Sequence, residues 1–376
     1  MRKLAHIERI DALEPIEGAD RIEKAEILGW NCVVKKGEFK VGDLCIYIEV
    51  DSILPDHPEF EFMRDRKFRV KTIKLRKQIS QGLALPYSII HLFQKPPIKE
   101  FNIGDDVTDI IGIKKHDPQA AKEDRYKPLH PKKQMNPVIS YMSQFHWFRK
   151  VRYNLGFEKI KNFPHFIAKT DEERLQNIPH ILNQWKDEFV YFTEKCDGSS
   201  ATYAYYKDPD LNFIGRWLNK HNFYVCSRNI LLSRENKTEW WEIARKFDIK
   251  EKLKSIGENI GIQGEIIGPG VQGNKYKLKE LDFYVYNIIN LNTRKKYNIE
   301  EKLVFCEKHK LKHVPLLFDK KTPLGEYETV DSLINLSKGK STLAKIKREG
   351  IVVRCINDDH KSFKCINPEF LLKFGE

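Results

Sequence analysis

A chain of 376 residues has room for two or three domains, each large enough to bury its own core. Lys and Arg outnumber Asp and Glu by 66 to 53, a net charge of +13 with pI near 9.2, which points to a polyanionic partner, most often nucleic acid. No apolar run approaches the roughly 20 residues that span a bilayer, so no membrane is expected.

The start of the chain reads without a signal-peptide core. Seven scattered cysteines with no C-x-x-C pair argue against a zinc site and for a reducing, cytoplasmic setting. Residues 1–116 read as a small β-rich domain. Trp30 to Val34 and Leu44 to Val50 are predicted strands, joined as a hairpin through the turn-rich Lys35 to Asp43. Arg64 to Gln78 then carries eight basic residues and one acid. Phe68, Val70 and Thr72 alternate with Arg69 and Lys71 before the apolar parity slips to Ile73 and Leu75, as in a bulged strand. Such a strand is either an edge guarded by lysines or a phosphate-contacting face built from Arg69, Lys71, Lys74 and Arg76. Short strands with a basic surface suit an OB-like barrel.

Residues 117–156 lose periodicity, with prolines at 118, 128, 131 and 137, and read as a linker holding a helix over Tyr141 to Tyr153. Its aromatic and basic side chains suit either RNA contact or packing between domains. Thr170-Asp171-Glu172-Glu173 has the pattern of a capping box, so a helix is expected from there to the Ile178-Pro179 break. Another helix is expected over Trp240 to Phe247.

Lys195 lies in a short break between the apolar runs Phe189 to Thr193 and Ala201 to Tyr206, within Glu194-Lys195-Cys196-Asp197-Gly198-Ser199-Ser200. A lysine there can act as a nucleophile if its surroundings remove a proton that ordinarily leaves near pH 10.4. K-x-D-G alone is weak, since Lys, Asp and Gly are common turn residues. Four further segments follow in order: Cys226-Ser227-Arg228-Asn229, Gln263-Gly264-Glu265-Ile266, the aromatic strand Asp282 to Ile288, and the pair Glu349-Gly350-Ile351-Val352-Val353-Arg354 and Ser362-Phe363-Lys364.

This ordered set resembles the covalent nucleotidyltransferases, the superfamily of polynucleotide ligases and mRNA capping enzymes, over residues 160–376. The phrases Lys71 to Leu83, Lys169-Thr170-Asp171-Glu172 and Val271 to Tyr276 extend the likeness to the Deinococcus-type RNA ligases. The resemblance implies an α+β chain: an OB-like barrel (1–116), a linker (117–156) and an adenylyltransferase, ATP-grasp-like domain of antiparallel sheets flanked by helices (157–376).

By that likeness Lys195 attacks the α-phosphate of ATP and carries AMP. Asp197, Glu265 and Glu349 organise Mg2+ or Mn2+. Glu194, Ser200, Arg228, Glu265, Tyr286 and Lys364 line the nucleotide, with Tyr286 on adenine (Tyr284 the fallback) and Lys364 on the α-phosphate. Arg228 also meets the RNA end. The last motif departs from the usual K-x-K, because position 362 is serine, and leaves Lys361 or Lys373 as stand-ins.

The chain ends soon after Lys364, where DNA ligases and capping enzymes usually continue into a C-terminal OB domain. The implied activity is joining of 3′-hydroxyl and 5′-phosphate ends at a nick in duplex RNA or RNA/DNA by a monomer. A DNA ligase or guanylyltransferase with a rearranged barrel is the alternative enzyme. An RNA-binding protein with an inactive transferase fold is the alternative non-enzyme.

Overall fold

Near-continuous burial marks two strands of the barrel. Ala5–Arg9 and Leu44–Ile48 each bury four of five side chains and lie side by side, antiparallel, with Leu83–Pro86 on the other edge of Leu44–Ile48. A second antiparallel sheet runs Ala12–Pro15, Ile22–Ile27, Trp30–Lys35. The computed structural model describes residues 3–95, 98–116, 160–207, 222–232, 238–318 and 321–375, with a few positions between 141 and 148; the expected linker and its helix otherwise lie outside them.

Two expectations for the barrel are corrected. Trp30–Lys35 and Leu44–Ile48 are not hairpin partners, because the connection between them carries the chain from one sheet to the other. Leu44–Ile48 is apolar nearly throughout, so it takes the central place in its sheet, with both edges filled.

The basic run is not one bulged strand either. Pro58–Arg66 is a 3-10 helix that buries Phe60 and Met63, with Pro58 at its start and Arg64 paired to Glu61 and Asp56. Lys67 and Phe68 then adopt left-handed backbone, Arg69 makes a single antiparallel bridge to Ile53, and Ile73–Leu75 pairs as a strand with Gln78–Ser80. Arg76 and Lys77, both at positive φ, make the tight turn between them.

The larger half holds two sheets. Seven strands run in the order Ile160–Asn162, Ile230–Leu232, Phe223–Cys226, Ser199–Tyr205, Ile260–Ile267, Asp282–Asn290, Lys312–His313. Five more run Glu173–Arg174, Ser362–Ile366, Gly350–Cys355, Phe189–Lys195, Thr322–Pro323. The pairing is antiparallel except at two short outer strands, Glu173–Arg174 and Lys312–His313. The helix Glu239–Lys246 presses Trp240 and Ile243 onto Tyr203, Ile262 and Phe283 of the first sheet. Val330–Ser337 does the same for the second sheet, with Leu333 against Val190, Val353 and Phe363.

The helix expected from Thr170 does not form. Glu173–Arg174 is a strand and Leu175–Asn177 a single 3-10 turn. The two side chains of the box are engaged elsewhere, Thr170 with Tyr286 and Glu173 with Asn177, and between them Asp171 pairs with Lys364 and Glu172 with Arg354.

The barrel docks on this segment. Trp30 Nε1 donates to Asn177 Oδ1 at 2.7 Å, and Asn177 Nδ2 to Glu49 Oε1 at 2.6 Å. Gly29 packs so tightly that a Cβ there would lie 2.9 Å from the Gln176 Cα. Among the described residues, no helix is long and apolar enough to cross a membrane.

Candidate active site

Lys195 closes the strand Phe189–Lys195, opposite Gly350 in the register, so it starts beside the segment that carries Glu349. The turn after it lies flat on the strand Ile260–Ile267. A Cβ at Gly198 would sit 2.2 Å from the Ile266 carbonyl oxygen, so only glycine permits that approach. The turn thereby brings Asp197 to the site. Its N–H donates to the Tyr276 hydroxyl at 2.8 Å, and Lys275 Nζ lies 2.7 Å from its Oδ2. Glu265 comes from Ile260–Ile267, opposite Ser200 and Tyr284.

Lys195, Asp197, Glu265 and Glu349 line one cavity of about 240 Å3, together with Glu194, Ser200, Arg228, Tyr286 and Lys364. Lys195 Nζ donates to Glu349 Oε1 at 2.5 Å. Burial disfavours its charge, but Glu349, Glu265 and Asp197 together hold the ammonium well above its ordinary pKa. Glu265 is pushed up to about 8 by burial, with Glu349 and Asp197 adding like charge against the pull of Lys195. The amine therefore rests protonated in a crowd of carboxylates.

Across the cavity the cations gather on Asp171. Lys364 Nζ and Arg228 Nη2 each lie 3.0 Å from its carboxylate, and Lys115 Nζ lies 3.7 Å away. Burial alone would raise the Asp171 pKa; Lys364, Arg228 and Lys115 hold it well below the usual carboxylate range. Three cations around one small anion make a place for a polyanion.

Tyr286 is on the cavity wall, its hydroxyl 2.9 Å from Ser200 Oγ and 3.0 Å from Thr170 Oγ1. Tyr284 is not among the lining residues and lies under Lys312 instead. Glu194 is buried. One of its oxygens accepts from the Thr342 N–H and hydroxyl, at 2.8 Å each, and the other has no hydrogen-bond partner.

Neither proposed stand-in for the missing lysine reaches the cavity. Lys361 pairs with Glu188 and Lys373 lies over Phe374. The cation beside Ser362 in the register is Arg354, which is buried and lines the cavity.

The basic run divides. Arg69 joins the cavity wall and pairs with Asp51, whereas Lys71 donates to the Gly375 carbonyl. Lys74 and Arg76 stay exposed on the hairpin. Sequence reasoning did not single out Asp171, Lys275, Arg354 or the barrel's Lys115. The first three lie inside the quoted phrases, but nothing in spacing marks them as polar groups of one site.

No three His, Cys, Asp or Glu side chains form a ready-made metal cage among the described residues. The donors nevertheless fit a hard cation. Magnesium and manganese sites commonly take one or two carboxylates and complete the shell with water and substrate phosphate. Burial, and after it the like charge of Glu349 and Asp197, lifts Glu265, and a divalent ion bound there would offset both.

A barrel joined to a two-sheet lysine-centred fold defines a nucleotidyltransferase with an N-terminal OB-fold domain. An OB-fold model matches residues 4–87 and an RNA ligase model residues 188–366. Solved structures of Naegleria gruberi RNA ligase are similar over the whole chain. An apo aspartate-to-alanine mutant is 32% identical, covering 98% of this chain and 97% of that one, with TM-score 0.77. A lysine-to-alanine mutant with ATP and Mn is 31% identical, covering 98% of each chain, with TM-score 0.77. A glutamate-to-alanine mutant with ATP and Mn is 30% identical, covering 100% of each, with TM-score 0.78. No curated protein matches. The chain belongs to the RNA ligases that carry an N-terminal OB-fold domain.

Proposed function

We propose that this RNA ligase joins a 3′-hydroxyl to a 5′-phosphate at nicks in duplex RNA or RNA/DNA, using ATP and a lysyl-AMP intermediate, in the manner of the Deinococcus-type enzymes. The observation that carries the reading is the convergence of Lys195, three carboxylates, Lys364, Arg228 and Tyr286 on one cavity.

In the first step the Lys195 amine attacks the α-phosphorus of ATP. A nitrogen–phosphorus bond forms, the bond to the bridging oxygen breaks, and pyrophosphate leaves with that electron pair. Glu349, 2.5 Å from Nζ, is in position to take the lysine proton. Lys364 and Arg228 exchange Asp171 for phosphate oxygens and stabilise the charge that builds there. Tyr286 lies against the adenine, and the unpartnered oxygen of buried Glu194 accepts from its amino group. Asp197, Glu265 and Glu349 would hold Mg2+ or Mn2+, which would screen these carboxylates and withdraw charge from phosphate. AMP then passes to the RNA 5′-phosphate, and the 3′-hydroxyl displaces it.

The division into barrel (1–116), linker (117–156) and transferase (157–376), a monomeric state and a cytoplasmic setting belong to the same reading. So does RNA contact by Lys74 and Arg76. The described free cysteines are all buried thiols, which accords with a reducing compartment.

The test is incubation with ATP, GTP or NAD labelled in the nucleotide that would be transferred, followed by denaturing electrophoresis, then sealing of nicked RNA. Covalent label from ATP alone and joining of the nick are expected. Label from GTP would make the protein a guanylyltransferase, and none from any nucleotide would end the proposal.

A further inference from the structure

Lys275 takes no part in the scheme above, yet its ammonium is held on several sides. Its Nζ lies 2.7 Å from Asp197 Oδ2, and only 11% of its side chain is exposed. Asp197 lines the nucleotide cavity and Lys275 does not, so the ammonium reaches the carboxylate from outside that space.

Two aromatic rings fix it there. Phe370 and Phe374, both on the helix Pro368–Phe374, each place a ring centroid 5.2 Å from Nζ. Phe370 is fully buried. The barrel's Lys71 steadies the end of that helix across the seam between the domains, donating to the Gly375 carbonyl at 2.7 Å. The backbone leading to Lys275 is equally constrained. Gln272, Gly273 and Asn274 all stand at positive φ, and the Asn274 side chain exchanges two hydrogen bonds with the Leu278 backbone, at 2.9 and 3.0 Å. An ammonium set against two rings and a carboxylate keeps both its charge and its place.

In the resting protein Lys195 is paired with Glu349 and Lys275 with Asp197. Lys195 opens on the cavity and gives up its charge when it reacts. Lys275 stays beside Asp197 as a permanent unit of positive charge. A divalent ion that comes to Asp197 from the cavity meets that charge at close range. Even in water-like surroundings, repulsion between a unit cation and a divalent ion about 6 Å apart lowers affinity roughly tenfold. Freeing one short side chain by removing the lysine costs at most about fivefold in the opposite sense, so charge decides the sign.

We propose that Lys275 is a built-in counter-ion of the metal site, which keeps the free enzyme from retaining a divalent ion at Asp197 and leaves that ion to arrive and depart with the nucleotide's phosphates. It rests on the reading above that Asp197 supports Mg2+ or Mn2+, and adds the residue that sets how tightly.

The experiment uses full-length protein stripped of AMP with pyrophosphate. Mn2+ is titrated without ATP, and the free ion is read by electron paramagnetic resonance. Wild type, Lys275→Met, Lys275→Arg, Asp197→Asn and the double variant are compared, each checked for a cooperative urea transition. Lys275→Met should bind Mn2+ about tenfold or more tighter than wild type. Lys275→Arg, which keeps the charge, should stay within about threefold. Asp197→Asn should weaken binding, and in the double variant the gain from Lys275→Met should vanish.

Lys275→Met binding no tighter than wild type overturns the proposal. An equal gain in Lys275→Arg does so too, as does a gain that survives Asp197→Asn. Should Lys275→Met fail to fold, Lys275→Gln takes its place under the same outcomes. Asp197→Asn binding Mn2+ as wild type does would instead bring down the parent reading of the metal site.

Discussion

Lys195 and Lys302 both face a carboxylate, yet their surroundings push them in opposite directions. Lys195 Nζ lies 2.5 Å from Glu349, with 26% of its side chain exposed. Lys302 Nζ lies 2.9 Å from both oxygens of Asp359, with none exposed. For Lys195, three carboxylates outweigh burial and hold the ammonium high. For Lys302, burial and the neighbouring Arg354 outweigh Asp359 and bring the ammonium down to about 8. The nearest partner is alike in the two cases; the second ring of charge differs. The lysine closer to neutrality is walled in beneath Tyr191 and the Tyr286 backbone. The one that opens on the cavity rests charged, so its reactivity depends on cations that arrive with the nucleotide. For the nucleophile proposed here, a low resting pKa is therefore a poor guide.

Exchanging the two lysines in turn is the sharpest way to break that comparison. Lys195→Arg keeps a cation beside Glu349 but cannot attack phosphorus near neutral pH. Covalent AMP should fall to background, by at least about a thousandfold. Lys302→Met, assayed well below its melting temperature, should take label normally. Label on Lys195→Arg, or its loss from folded Lys302→Met, would reverse the roles.

The carboxylates come next. Glu349→Gln and Glu265→Gln should each slow labelling by roughly a hundred- to a thousandfold, because glutamine cannot balance a divalent ion. A manganese titration in which either variant matched wild type throughout would remove that residue from the metal's support.

Much of this site was legible in the chain, and the reason is local. Lys195 and Glu349 lie at or beside strand ends and Glu265 and Lys364 within strands that are plain in the sequence, so register brings them together. Thr170 to Glu173 misled for the opposite reason. Thr170 is drawn to Tyr286, and Asp171 and Glu172 to Lys364 and Arg354 at 193 and 182 residues' separation, and no local rule sees those partners. The same holds for the basic run. Charge spacing marked it, but Arg69 turns inward to Asp51 while Lys74 and Arg76 remain outside. Lys302 and Asp359 went unremarked because a lysine in a helix and an aspartate in a turn read as solvated ends.

That hidden pair supplies the next test, now of stability. Lys302→Met leaves Asp359 buried with Tyr191 and Arg354 but without its ammonium partner, and should cost about 3–5 kcal/mol of unfolding free energy in urea. Adding Asp359→Leu should restore only part of the loss, because Arg354 then keeps Glu172 alone. A single variant as stable as wild type would mean that the pair adds nothing.

The barrel offers a third ionic cluster and the smallest effect. His6 lies 2.7 Å from Glu8 and 3.7 Å from Glu49, and Glu49 in turn holds Asn177 across the seam. Burial opposes a charged imidazole, but hydrogen bonds to Glu49 and Glu8 push its pKa up to about 9. As around Lys195, carboxylates in number overcome burial. Because the folded value lies above the unfolded one of about 6.5, the stabilisation is complete below pH 6.5 and is lost as pH rises through 9. Wild type should therefore lose about 2–3 kcal/mol of stability between pH 6 and 9.5 that His6→Gln does not lose. The variant should be the weaker protein at pH 6 and approach wild type at pH 9.5. Urea unfolding of both across that range decides it, since a gap that stayed constant with pH would mean that the imidazole is neutral in the fold.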